Sequence, residues 1–231
     1  MTNLEDAGFL LTGASGGLGR PLAAQLAAAG ARVVVSGRDA DRLADLPGHP
    51  VTADLRLPGE PERLVAAALE HLGRLDGIVH AAGVVAFGPV ADADDDLLDD
   101  VLLADLIGPI RLVRAALPAL RAAAAEREGT VVAVVSAVVA EQPQAGMAVY
   151  SAAKAALTAF DRALAKELRR DGVRVLDVRP PHTETGLVDR ALAGTAPRLP
   201  QGLDPEDVAR RIVRALLEGE KDLPSTAFGP A

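Results

Sequence analysis

A chain of 231 residues, 49 % of them apolar, can bury one sizeable α/β core, and with no cysteine it holds neither disulfides nor thiolate metal sites. Its net charge of −8 would repel a phosphate backbone, which excludes nucleic acid as a partner. No apolar run approaches the length of a membrane span and no basic segment leads into one, so no membrane partner and a cytoplasmic location are expected. Lysine occurs only as Lys154, Lys166 and Lys221 and tyrosine only as Tyr150, which draws attention to these few residues.

The first element is an apolar strand, Phe9–Leu11, running into Thr12-Gly13-Ala14-Ser15-Gly16-Gly17-Leu18-Gly19 and an alanine-rich helix from Leu18 to Ala29. Glycine admits positive φ and lets a ligand approach the backbone, and a helix start offers free N–H groups, so this strand–turn–helix suits a pyrophosphate. Arg32–Ser36 is a β-branched run that reads as a buried parallel strand, followed by Gly37-Arg38. At the end of such a second strand an acid favours a free ribose 2′-hydroxyl and an arginine a 2′-phosphate. Arg38 without a preceding acid therefore points to NADP(H) over NAD(H); the plainer alternative is a surface pair with Asp39 or Asp41.

His49–Asp54 reads as a third strand ending in an acid, Pro61–Gly73 as a helix, and Leu75–His80 as a fourth strand that opens into Ala81-Ala82-Gly83. The aspartates of Ala91–Asp100 read as the solvated start of a helix rather than as a metal site. That helix continues through Leu106, and a second segment follows Gly108-Pro109 up to Ala125. Thr130–Ser136 is the most strand-like run. Tyr150-Ser151-Ala152-Ala153-Lys154 then opens a helix that reaches Arg170, with Tyr150 and Lys154 on one face. A cation beside a phenol favours the phenolate, so the pair could exchange a proton with a hydroxyl or carbonyl while hydride moves at the neighbouring carbon. Val173–Val178 is the sixth strand, and Pro180–Thr185 follows it. Residues 186–203 read as a loop or short helices over the strand ends, suited to a substrate lid, before a last helix from Asp204 to Glu218 and a short tail. Alternating strands and helices without a repeat or linker imply one domain over residues 1–231, α/β, with a doubly wound parallel sheet of the Rossmann type.

Together these motifs resemble the short-chain dehydrogenase/reductase family over essentially the whole chain. Thr12-Gly13-x-x-x-Gly17-x-Gly19 is similar to its cofactor turn, Asp54-Leu55 to its adenine contact, and His80-Ala81-Ala82-Gly83 to its Asn-Asn-Ala-Gly loop. Tyr150-x-x-x-Lys154 is similar to its catalytic helix and Pro180…Thr185 to its nicotinamide loop. The resemblance implies an NAD(P)(H)-dependent oxidoreductase acting on a small carbonyl or alcohol and assembling as a homodimer or homotetramer. Tyr150 would be the acid/base, and Lys154 would hold the nicotinamide ribose and lower the phenol's pKa. Gly13, Ser15, Gly17, Leu18, Gly19, Arg38, Asp54, Leu55, Ala81, Ala82, Gly83, Lys154, Pro180, Thr183 and Thr185 would line the dinucleotide, and no metal is implied.

Three positions depart from the family pattern. Ala137 stands where the catalytic serine is usual; Ser136, one residue earlier on a strand, points to the other face and can serve only if the strand end kinks or the following loop shifts. Asp105, in Asp105-Leu106-Ile107-Gly108, replaces the proton-relay asparagine, and Pro180-Pro181 replaces Pro-Gly, bringing His182 near the site. Two readings follow: an NADP(H)-dependent carbonyl reductase or alcohol dehydrogenase with an altered site, or a non-catalytic dinucleotide-binding sensor or partner subunit. Epimerase, dehydratase or lyase chemistry on the same fold is a third.

Overall fold

The apolar runs form strands buried on both faces, as strands between two layers of helix must be. The structure, a computed structural model, describes residues 2–229. Its strands are β1 (Gly8–Thr12), β2 (Arg32–Gly37), β3 (His49–Thr52), β4 (Gly77–His80), β5 (Val131–Val135), β6 (Arg174–Val178) and β7 (Asp222–Leu223). All pair in parallel, in the order β3-β2-β1-β4-β5-β6-β7. The doubly wound parallel sheet read from the sequence is therefore present. The order reverses between β1 and β4, whose Thr12 and His80 stand side by side, and beyond the carboxyl ends of these strands lies the crevice where such sheets bind ligands.

The α-helices are α1 (Gly19–Ala28), α2 (Glu60–Leu72), α3 (Asp95–Leu102), α4 (Gly108–Glu126), α5 (Ala148–Glu167) and α6 (Pro205–Glu218). Helices α1 and α6 cover one face of the sheet through Leu22, Leu26, Ile212 and Leu216. Helices α2, α4 and α5 cover the other through Leu64, Leu112, Leu120 and Leu157. Asp94 caps α3, its side chain accepting from the Leu97 N–H at 2.8 Å, which accounts for one acid of the aspartate-rich run as helix-start chemistry. Between α3 and α4 the chain makes a π turn, Leu103–Ile107, where the sequence reads as two ordinary helical segments. No helix among the described residues is long and apolar enough to cross a membrane.

The tail holds a strand that the sequence pattern does not announce. β7 is too short for a periodic pattern, and tertiary contacts hold it. The fully buried Arg179 reaches Asp222 at 2.8 Å, Glu141 at 2.6 Å and Asp177, while Ser225 Oγ donates to Glu141 at 2.5 Å. Burial works against the Arg179 charge, but its three carboxylates outweigh that and raise its pKa.

Candidate active site

The glycine turn connects β1 to α1 at the strand-order reversal. Gly13 has φ +73°, and a Cβ on it would lie 2.4 Å from Ala82 N, so Ala81 and Ala82 rest directly against it. Gly17 faces the loop after β6: a Cβ there would lie 2.3 Å from Thr185 O. Helix α1 has no side-chain cap, and among the described residues nothing accepts from the N–H groups of Gly17 or Leu18. Free donors at a bare helix start are a cradle for an anion, which fits the pyrophosphate of a dinucleotide. Ser15 Oγ lies beside Gly37 at the end of β2, and Ser15 O accepts from Arg42 at 2.8 Å. Arg38 is exposed just beyond β2, and no carboxylate among the described residues pairs with it; Asp39 instead accepts from the N–H groups of Asp41 and Arg42. Asp54 is bound by Arg56 at 2.8 Å, and that hydrogen bond holds its carboxyl below the usual range. Arg56 also meets Asp100, and Leu55 is buried against Gly108.

Tyr150 and Lys154 lie one turn apart near the start of α5, Lys154 Nζ standing 5.8 Å from the Tyr150 ring centroid. Both are buried, at 7 % and 3 % exposure, so the ammonium acts on the phenol through little water. The π turn brings in Asp105, fully buried, with Oδ1 3.4 Å from Lys154 Nζ and accepting the Val84 N–H at 3.0 Å. Gly83 leaves room for this pair: a Cβ there would lie 2.8 Å from Asp105 Oδ1 and 3.2 Å from Lys154 Nζ. Burial, and then the Asp105 charge, push the Tyr150 hydroxyl above the ordinary phenol range. His80 is buried too, its Nδ1 2.8 Å from Thr12 Oγ1; burial and then Lys154 lower its pKa to about 3, so it stays uncharged.

Behind Tyr150 and Lys154, α5 presents a polar stripe to the sheet. Ser136 Oγ donates to the Lys154 carbonyl at 3.0 Å, and Thr158 Oγ1 lies 3.3 Å from both Ser136 Oγ and Asp177 Oδ1. Ala137, on the opposite side of the extended chain, packs instead into the cluster around Tyr150. One turn beyond Thr158 lies Asp161, 1 % exposed and with both carboxylate oxygens unpartnered. Sequence reasoning missed Thr158 and Asp161, although their spacing from Lys154 puts them on its helix face.

The cluster around Tyr150 is apolar. Val85, Phe87 and Val139 are its buried members, and Leu187 and Val188 pack against it from residues 186–203. That segment is held down by backbone hydrogen bonds, Leu192 N–H to Val85 O at 2.8 Å and Phe87 N–H to Ala193 O at 2.9 Å. At its base Thr183 bridges Leu203, Thr183 Oγ1 donates to Pro181 O at 2.9 Å, and Pro180 O accepts the Val138 N–H at 2.9 Å. His182 turns toward Glu184, with Nε2 3.5 Å from Oε1. These apolar residues are scattered along the chain, and their meeting at Tyr150 has no sequence signal beyond their hydrophobicity.

Residues 8–195 match the family model described as short chain dehydrogenase. An uncharacterized oxidoreductase of Staphylococcus aureus is 30 % identical over 226 residues, covering 94 % of each chain. Ipsdienol dehydrogenase of Ips pini is 29 % identical over 204 residues, 83 % of this chain and 80 % of that one. Among solved structures, a short-chain dehydrogenase from Streptomyces avermitilis superposes with a TM-score of 0.82 at 28 % identity, covering 96 % of this chain and 90 % of that one. A 3-ketoacyl-(acyl-carrier-protein) reductase from Brucella melitensis shares the fold, with a TM-score of 0.85 at 23 % identity over 98 % of this chain and 100 % of that one.

Proposed function

The chain belongs to the short-chain dehydrogenases, a family of oxidoreductases, and we propose that within it this protein uses NADP(H) to interconvert a carbonyl and a secondary alcohol. The observation that carries the reading is the chain's sole tyrosine, buried beside Lys154 under an apolar cover. A bound dinucleotide would supply or accept the hydride. The chain's own residues do the rest. The N–H groups of Gly17 and Leu18, in the turn built on Gly13, Ser15 and Gly19, receive the pyrophosphate, and Arg38 a 2′-phosphate. Asp54 and Leu55 border the adenine end; Ala81, Ala82, Gly83, Pro180, Thr183, Thr185 and Lys154 border the nicotinamide end.

Tyr150 gives its hydroxyl proton to the substrate oxygen in reduction and takes one back in oxidation. Val85, Phe87, Leu187 and Val188 keep water from the reacting atoms. Ala137 offers the substrate oxygen no hydrogen bond, and Ser136 has its own committed to the Lys154 carbonyl. Tyr150 therefore works without a serine beside it, which elsewhere costs a rate factor of about 10²–10³. A homodimer or homotetramer belongs to the same reading.

The test is titration with NADPH and NADH by fluorescence, followed by a panel of ketones and aldehydes. Tight NADPH binding and oxidation by a carbonyl is expected, with turnover falling by about 10²–10⁴ in Tyr150→Phe while binding persists. Binding without turnover across the panel would replace this reading with the sensor or partner-subunit one. No binding of either dinucleotide would overturn the assignment of the glycine turn.

A further inference from the structure

Lys154, beside Tyr150, has a buried carboxylate next to it. Asp105 lies within the π turn Leu103–Ile107, a rare arrangement that is frequent at functional sites. Its Oδ1 meets Lys154 Nζ at 3.4 Å and the Val84 N–H at 3.0 Å, and its Oδ2 is buried without a partner. A buried charge held by so few partners is expensive, and the cation it faces is Lys154. Gly83 leaves the pair uncrowded, since a Cβ there would press on Asp105 Oδ1 and Lys154 Nζ.

We propose that Asp105 is a positioning residue that holds the Lys154 ammonium and cancels its charge, so that Tyr150 meets its substrate as a neutral phenol. The proposal rests on Tyr150 being the acid/base. In reduction the phenol proton passes to the substrate oxygen as hydride reaches the carbon, and the phenolate left behind regains a proton from water. Asp105 sets the pH at which the site titrates and leaves the equilibrium between carbonyl and alcohol untouched.

Three groups face Lys154. His80, at the end of β4, is uncharged, its pKa lowered to about 3 by burial and then by Lys154 itself. Asp161, further along α5, keeps its proton to about 9, because burial and then Asp177 raise it. Asp105, from the π turn, is the third: burial pushes its carboxyl up, while Lys154 and the Val84 N–H pull it back. Of the three it is the one in an ion pair with the ammonium, at 3.4 Å.

The test needs neither substrate nor cofactor. The chain has one tyrosine and no tryptophan, so the ultraviolet absorbance of tyrosinate reports Tyr150 alone. In the wild type the tyrosinate midpoint is expected above the free phenol's value of about 10. Asp105→Asn should lower it by about 1–3 pH units, the usual effect of a charge at this range, and adding Lys154→Met to that variant should raise it again, because the ammonium left without its carboxylate is what favours the phenolate. Circular dichroism on the same samples monitors the fold. A wild-type band that rises only as the fold is lost sets a lower bound from which the shift is read. If Asp105→Asn does not fold, Asp105→Ser makes the same charge change.

An unchanged midpoint in the folded variant overturns the proposal. So does a double variant that keeps the lowered midpoint, since the ammonium would then not be the charge that Asp105 offsets. Neither result touches NADPH binding or turnover, so the reductase reading stands or falls separately.

Discussion

Asp161 carries a stability cost whose pH dependence can be worked out. Its carboxyl is 1 % exposed with both oxygens unpartnered, and burial followed by the nearby Asp177 raises its pKa to about 9. In the unfolded chain the group titrates near the ordinary value of about 3.9. Below that both states hold the proton and pH has no effect. Between about 4 and 9 the folded chain keeps a proton that the unfolded chain has lost, so stability falls as pH rises, by about 1.4 kcal/mol per unit. From pH 5 to pH 8 the loss is about 4 kcal/mol. Asp161→Asn keeps the shape and cannot ionise. The stability of the variant minus that of the wild type should therefore grow by about 4 kcal/mol over this range, a swing of roughly 8–16 °C in melting temperature for a domain of this size. Urea denaturation of both proteins at pH 5, 6.5 and 8 measures it, and the subtraction removes the other titrating groups. Parallel curves, or a variant that loses ground at pH 8, would refute the reasoning, because Asp161 would then be ionised and paired in the folded protein.

The other expectations concern the dinucleotide. Arg38→Ala should weaken NADPH by roughly 10- to 100-fold, the worth of charge-assisted hydrogen bonds of about 1.5–3 kcal/mol, and leave NADH binding unchanged; fluorescence titration with each measures this, and equal losses would remove Arg38 from the 2′-phosphate. Gly17→Ala places a Cβ 2.3 Å from Thr185 O and 2.6 Å from its Cα, contacts with backbone that no side-chain rotation relieves. The loop after β6 must lift from the turn, at a cost of about 1–3 kcal/mol, with NADPH affinity down at least about tenfold. Unaltered affinity and melting temperature would show that the two segments do not cooperate.

The sheet was legible where burial on both faces writes itself into the residues, as in Arg32–Ser36 and Thr130–Ser136. β7 was not, because Asp222 and Leu223 become a strand only when Arg179 and β6 are already in place. The π turn was equally hidden: Leu103–Ile107 carries the same pattern a continuing α-helix would, and the shift in hydrogen bonding comes from packing. In the site, Tyr150 and Lys154 are visible as an i, i+4 pair. Alternation along an extended chain puts Ser136 and Ala137 on opposite faces from the sequence alone. The meeting of Asp105 with Lys154 is legible only through the family resemblance, which puts Asp105 at the proton-relay position, since it joins two distant helices through a turn no local rule specifies. Asp161 reads in sequence as an ordinary helix charge, and only the nearness of β6 turns it into a buried acid.

The two edges of the sheet also bear on how copies of this chain can meet. An edge strand with free N–H and C=O groups is a template on which another chain can add a strand. Here one edge, β3, carries Pro50, which has no N–H to offer, and its His49 is stacked on His71 at 4.0 Å. The other, β7, is a two-residue strand that follows Lys221 and begins with Asp222, an acid already engaged by Arg179. Both margins are poor templates for a further strand. Fibrous growth by sheet continuation is thereby disfavoured, and association between copies is directed to side-chain surfaces on the helices.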